Sequence, residues 1–148
     1  RLINWGTNRR AFKPEFGYSQ RWGNWVLDGY VGLWLYTTNS EFFSMPTPQP
    51  QTQSPIGSVE GHISYNLRPF LWISFDGNFW YGGKTSIGGV PNPSTRQTAS
   101  RLGITGSLPL TRNQTLRLGY SDGAYSRFGA NYKSLSIGWQ YAWIEIPR

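Results

Sequence analysis

Residues 135–143 permit one kind of local structure. Large side chains stand at Leu135, Ile137, Trp139, Tyr141 and Trp143, and small or polar ones at Ser136, Gly138, Gln140 and Ala142. A period of two sends the two sets to opposite faces of an extended strand, whereas a helix would mix them. The large face ends in Tyr141 and Trp143. Their rings have an apolar body and a polar tip, which suits a boundary between hydrocarbon and water.

The same alternation recurs upstream. From Arg10, Phe12, Pro14, Phe16, Tyr18 and Trp22 alternate with Lys13, Glu15, Gly17, Ser19 and Arg21, although Pro14 weakens any central ladder. After a turn at Gly23 and Asn24, Trp25, Leu27, Val31, Leu33 and Leu35 oppose Asp28, Tyr30, Gly32, Trp34 and Tyr36. Further strands are predicted over 55–67, 70–81, 96–108 and 114–121, followed by the last. The sixth must end or bulge near Gly123, because its register otherwise turns Asp122 onto the large apolar face.

Connections alternate in length. Short ones fall at Gly23 and Asn24, at Arg68 and Pro69, and near Thr111 to Asn113; long ones at 40–54, 82–95 and 122–131. The first long segment includes Met45, Pro46, Pro48 and Pro50, and the prolines lack the donor a ladder needs, so a mobile loop is expected there. Mid-strand charge stays on the face opposite the large apolar residues: Lys13, Glu15, Asp28, Glu60, Asp76, Arg101 and Arg117. An Arg or Lys facing lipid at mid-depth would cost roughly 2–4 kcal/mol. Together these regularities predict an all-β fold: an antiparallel up-and-down transmembrane β-barrel, one domain over 1–148, represented by about seven C-terminal strands. Seven strands leave open edges that lipid does not tolerate, and the chain starts at Arg1, so N-terminal strands are expected to be missing.

Composition narrows the alternatives. Aromatic residues make up 17% and charged ones 14%, against about a quarter charged in ordinary soluble domains. No apolar run approaches the ~18 residues of a membrane helix. The net charge of +7 comes from scattered Lys and Arg, which fits a positive rim facing anionic headgroups or an anion-favouring lumen better than a nucleic-acid surface. There is no Cys and one His, so no metal site and no cofactor is expected. Ser64, His62 and Asp76 lie on neighbouring predicted strands, but no catalytic constellation emerges and an enzyme is not expected.

Two resemblances follow from named residues. Ser136, Gly138, Tyr141 and Trp143 resemble the C-terminal assembly signal of bacterial outer-membrane barrels. Five further stretches resemble the outer-membrane transporter family of the meta-pathway of phenol degradation. They are Asn8-Arg9-Arg10-Ala11-Phe12-Lys13-Pro14-Glu15, Trp34-Leu35-Tyr36-Thr37-Thr38-Asn39, Gly82-Gly83-Lys84-Thr85, Arg96-Gln97 and Ser107-Leu108-Pro109-Leu110. The resemblance implies a Gram-negative outer-membrane location and passage of small aromatic compounds; the C-terminus falls on the short-turn side, periplasmic in such barrels, and the positive charge adds anionic compounds to the small solutes that passive uptake would take. The implied partners are outer-membrane lipid and lipopolysaccharide, the barrel-assembly machinery and a small-molecule solute.

The candidate lumen residues are Lys13, Glu15, Asp28, Tyr30, Trp34, Glu60, His62, Trp72, Asp76, Trp80, Arg101 and Arg117. As a pore lining, the charges would select among ions and the rings would stack aromatic solutes. As structural groups, they would pair with one another and fill the lumen, giving a plugged barrel. A soluble lipocalin-like ligand-binding barrel, with its apolar face turned inward, is the alternative from another class.

Overall fold

The computed structural model describes residues 8–42, 46–128 and 131–143. The loop reading of residues 1–7 and the Met45 end of the proline-rich stretch lie outside them. Among the described residues twelve strands run in chain order: β1 (Ala11–Phe12), β2 (Glu15–Trp22), β3 (Trp25–Tyr36), β4 (Asn39–Phe42), β5 (Gln49–Gln53), β6 (Ile56–Arg68), β7 (Leu71–Gly82), β8 (Thr85–Ile87), β9 (Val90–Asn92), β10 (Gln97–Pro109), β11 (Gln114–Ser126) and β12 (Ser134–Tyr141). A turn of 3-10 helix, Pro93–Thr95, precedes β10.

The main sheet is antiparallel, in the order β1/β2, β3, β6, β7, β10, β11, β12. It has the seven strand positions that the alternation predicts, because β1 and β2 are one strand interrupted at Pro14. Phe12 pairs with Leu35 and Glu15 with Gly32, so the register is unchanged across the break. Pro14 cannot donate, but its carbonyl still accepts from Leu33 N at 3.1 Å. The sheet is open: among the described residues no pairing joins β12 to β1 or β2.

Burial is inverted relative to a soluble sandwich. Val31, Ile63, Phe75 and Ile104 are 46–58% exposed, and Ile56 is the one buried hydrophobic residue among those described. Ser58, Ser74 and Ser107 on the opposite face are buried. Glycines show independently which face is concave. A Cβ added at Gly17, Gly32, Gly103 or Gly119, on the charged face, would meet another atom at 2.5–3.2 Å. At Gly57, Gly61, Gly77 or Gly106, on the apolar face, the nearest atom is 3.7–4.0 Å away, and at Gly29 nothing lies within 4 Å. The charged face is therefore the crowded inner curve, and the apolar face is the outside. An inward-folded apolar face, as in the lipocalin-like alternative, is not what forms.

Aromatic rings mark both ends of the outer face. Trp25 and Tyr65 meet edge to face at 4.8 Å, and Trp139, Tyr141 and Trp143 follow one another at 6.1–6.3 Å. These stand at the short-turn end; Phe79, Tyr81 and Tyr125 stand at the other. Two such girdles are the pattern of a transmembrane barrel. β3, β6 and β7, at 12–13 residues, exceed the about 9–11 that a tilted spanning strand needs.

Four expectations need correction. The segments 40–54 and 82–95 are not plain loops. They carry β4, β5, β8 and β9, which form a second sheet in that order. β5 and β8 prolong the β6–β7 ribbon without a slip, since Ile56 pairs with Gly82 and Gln53 with Thr85. Pro50 lies inside β5. The β4–β5 register shift falls opposite it, where the missing donor would otherwise leave a gap, and its carbonyl accepts from Gly88 N at 2.9 Å. Thirdly, β11 continues past Ser121 to Ser126, across a bulge at Ala124: Arg101 pairs with Gly123 but Ser100 with Tyr125. The bulge lies near Gly123 but follows Asp122, which stays in register opposite Leu102 on the apolar face, so the bulge does not turn this acid inward as expected; the predicted strand end is absent. Fourthly, the turn before β7 is centred on Pro69 and Phe70, not Arg68 and Pro69. Phe70 adopts φ 63° and accepts a 3.0 Å hydrogen bond from the buried Ser107 hydroxyl.

The ribbon bends where it leaves the main sheet. Gly82 and Gly83 there have φ 128° and 72°, and a Cβ on Gly82 would run into the Pro55 carbonyl. Gly82→Ala is expected to cost about 1–3 kcal/mol of local strain. Limited proteolysis of the full-length protein should then cut within 83–96 faster than in the parent, while the barrel keeps its heat-dependent shift on gels.

Candidate functional site

Inward charge arises because each long strand sends alternate residues to the concave face, and the register sets them in rows. One row contains Ser19, Asp28, His62, Asp76, Gly103 and Ser121 on successive strands. The next contains Gly17, Tyr30, Glu60, Asn78 and Arg101.

Asp76 is the most fully held carboxylate. It accepts from the Ser74 hydroxyl at 2.7 Å and the Thr105 hydroxyl at 2.8 Å, and lies 2.7 Å from His62 Nδ1. A carboxylate only accepts, so the imidazole proton on this contact sits on Nδ1. Tyr30 meets the His62 ring edge-on at 5.9 Å and packs over Gly17, whose missing side chain leaves room for it. Ser64 makes no hydrogen bond to the imidazole among the described residues, so no nucleophile completes the pair.

Lys13 bridges Glu15 and Glu60. Its Nζ is 3.0 Å from Glu60 Oε1 and also contacts Glu15 Oε2. The bridge crosses β3 at Gly32, where a Cβ would stand 2.8 Å from Lys13 Cε and from Ser58 Oγ. Glycine is thus what lets the ion cluster lie flat on the wall. Lys13 Nζ also sits 5.3 Å from the centre of the Trp34 ring. Trp34, Tyr36, Ile56, Trp80 and Gln97 line an open recess of about 240 Å³ above the cluster.

The arginines differ. Arg101 is tied down: Nε donates to Ser121 Oγ at 2.8 Å, Nη2 to Tyr132 O at 2.9 Å, and the guanidinium lies 4.0 Å from the Tyr132 ring centre. Arg117 is exposed and faces only the Trp72 ring, at 5.7 Å. Among the described residues, neither Arg117 nor Asp28 makes an ion pair or side-chain hydrogen bond. All twelve candidate lumen residues thus fall on or along the concave face. Three groups form on it: Lys13–Glu15–Glu60 by Trp34, His62–Asp76 by Tyr30, and Arg117 by Trp72. Sequence reasoning missed Ser74, Thr105, Ser121 and Tyr132, the neutral partners that hold the charges; their inward register was the available signal for the first three. No cluster of three or more metal-type ligands occurs among the described residues.

Of the assembly-signal residues, Ser136 and Gly138 lie on the concave face opposite Gly119 and Arg117, and Tyr141 pairs with Gln114 at the short-turn end. Ala142 N donates to Asn113 O at 2.8 Å, which docks the end of the strand onto the last short turn.

The fold has a solved counterpart. The crystal structure of the COG4313 outer membrane channel from Pseudomonas putida F1 is similar at TM-score 0.79 and 18% identity, over 95% of this chain and 51% of that one. The present chain therefore spans about half the length of that channel. No curated protein matches the chain. A family model matches residues 1–137, nearly the whole sequence, and the chain belongs to the family described as "Putative MetA-pathway of phenol degradation".

Proposed function

We propose that this chain forms part of the wall of an outer-membrane channel for passive uptake of small solutes, with aromatic anions as the preferred class. The observation that carries the reading is the inverted burial: large apolar side chains cover the convex face and charges line the concave one. Water-filled barrels need that arrangement and soluble domains avoid it. The two open sheet edges require further strands to pair with them in lipid. The likeness to an outer membrane channel supports the location and a non-enzymatic role.

The short turns and the end of β12 share one end of the sheet, and the long ribbon rises from the other. Barrels in this membrane keep short turns periplasmic and long loops outside, so the C-terminus is periplasmic and the residues of β12 face the assembly machinery. The charge clusters join adjacent or next-nearest strands, as Lys13 does across β3, and so hug the wall instead of crossing the lumen. That favours a passage over a plug. Arg117 beside Trp72 offers a cation and a ring to a planar carboxylate passing by.

Two experiments test this in the full-length protein. With single cysteines at Leu33 and Asp28 in liposomes, a probe at 33 should be quenched from the lipid phase and one at 28 should not. Shielding of position 33 from both lipid and water would sink the membrane reading. In planar bilayers, Arg117→Glu should shift selectivity from anions toward cations. Trp72→Ala should lower benzoate flux roughly two- to fivefold, the scale of one exposed cation–π contact, and leave chloride conductance nearly unchanged. Equal loss for both anions would remove the aromatic preference.

A further inference from the structure

The bulge in β11 has a consequence on the outer surface. Ala124 is the extra residue, and beyond it the facing of β11 reverses. Ser126 pairs with Ala99 on the concave side, whereas Tyr125 pairs with Ser100 on the convex side. Arg127, the residue after β11, donates its N to the Thr98 carbonyl at 2.9 Å and so lies beside Thr98, an outward-facing position of β10. Arg96 faces the same way. Its Nη1 donates to the Tyr81 hydroxyl at 3.0 Å, and its guanidinium lies 5.8 Å from the Tyr81 ring centre. Tyr81 belongs to the outer aromatic girdle at the ribbon end and pairs in register with Thr98.

Two arginines thus flank the girdle, Arg96 just before β10 and the exposed Arg127 just after β11. Neither makes an ion pair with a carboxylate among the described residues. Asp122, the acid that β11 carries on this face, is engaged by Lys133 at 3.6 Å. An arginine at the edge of the hydrocarbon costs little only when its head reaches a polar layer. The tyrosine hydroxyl accepts from Arg96 and so keeps its own proton to donate. The chemistry matches a phosphate: paired planar cations that can each bind two oxygens, and a hydroxyl donor beside them.

We infer that Arg96 and Arg127, with Tyr81, bind a lipid phosphate on the outer face, and that the ligand is the lipid A phosphate of lipopolysaccharide. The choice of lipid rests on the orientation proposed above, which puts this girdle in the outer leaflet. A phosphate monoester also offers more charge and more free oxygens than the diester of a phospholipid.

The test uses the full-length protein in detergent. Binding of bisphosphorylated lipid A, dephosphorylated lipid A and phosphatidylglycerol is compared by native mass spectrometry. The parent should prefer bisphosphorylated lipid A to both others. The double variant Arg96→Gln/Arg127→Gln should lose about tenfold or more in lipid A affinity, as expected when hydrogen bonds to a charged group are removed. Replacement of both by Lys should lie between the two, since charge is kept and the fork is lost. Undiminished lipid A binding in the double Gln variant overturns the site. Phosphatidylglycerol bound as tightly as lipid A, with the same loss on substitution, overturns the assignment to lipopolysaccharide. Lipid quenching at position 33, measured on the same variants, separates these failures from failure of the membrane reading itself.

Discussion

The rest of the structure depends on pairing backbone N–H and C=O groups where no water can reach them. Each unpaired group in hydrocarbon costs several kcal/mol, so a spanning sheet must keep its ladders continuous. The chain does this over long strands: β10 holds one register with β7 from Gln97 to Ser107, and β6 with β3 from Ile56 to Tyr65. Continuous pairing then fixes everything on the two faces, because each side chain alternates with its neighbours. This is why one buried hydrophobic residue suffices among those described. The ladders and the surrounding lipid take over the task that a packed core performs in a soluble domain.

Period two is visible in a bare sequence, and so was the architecture. Val31, Ile63, Phe75 and Ile104 on one face, with Asp28, Glu60, Asp76 and Arg101 on the other, required nothing beyond counting. What counting could not supply is register, because a single extra residue changes it. The β6–β7 turn pairs Arg68 with Leu71; Leu67 is then left unpaired, and Asn66 meets Trp72. Without that bulge, the turn alone would set His62 opposite Gly77. With it, His62 meets Asp76, and the best-held carboxylate of the wall acquires its partner. Ala124 acts in the same way on β11, deciding that Tyr125 faces out and Ser126 in.

The proline-rich ribbon is hidden in the sequence for a related reason. Proline removes one donor from a ladder, and from sequence this argues for a loop. In β5 the partner strand bulges opposite Pro50, so the surrounding residues pair on both sides. Nor do contacts between distant residues leave a mark in sequence. Lys13 and Glu60 are 47 positions apart, and Arg101 and Tyr132 are 31 apart. Their meeting follows from strand order, which is a property of the folded sheet.

Strand order also distributes the charge. Glu15, Asp28, Glu60 and Asp76 come from β2, β3, β6 and β7, while Arg101 and Arg117 come from β10 and β11. Local partners absorb most of these: Lys13 takes two acids, Ser74, Thr105 and His62 hold a third, and Ser121 and Tyr132 hold Arg101. Asp28 and Arg117 are left, on β3 and β11. Those strands are four spacings apart, about 19 Å along the sheet at about 4.8 Å each. That exceeds the ~8 Å over which exposed charges feel one another at physiological salt. The two therefore do not cancel, and the concave wall keeps an acidic side and a basic side. The field along the concave face therefore runs from the acidic β3 side to the basic β11 side, where Arg117 stands by the face of Trp72.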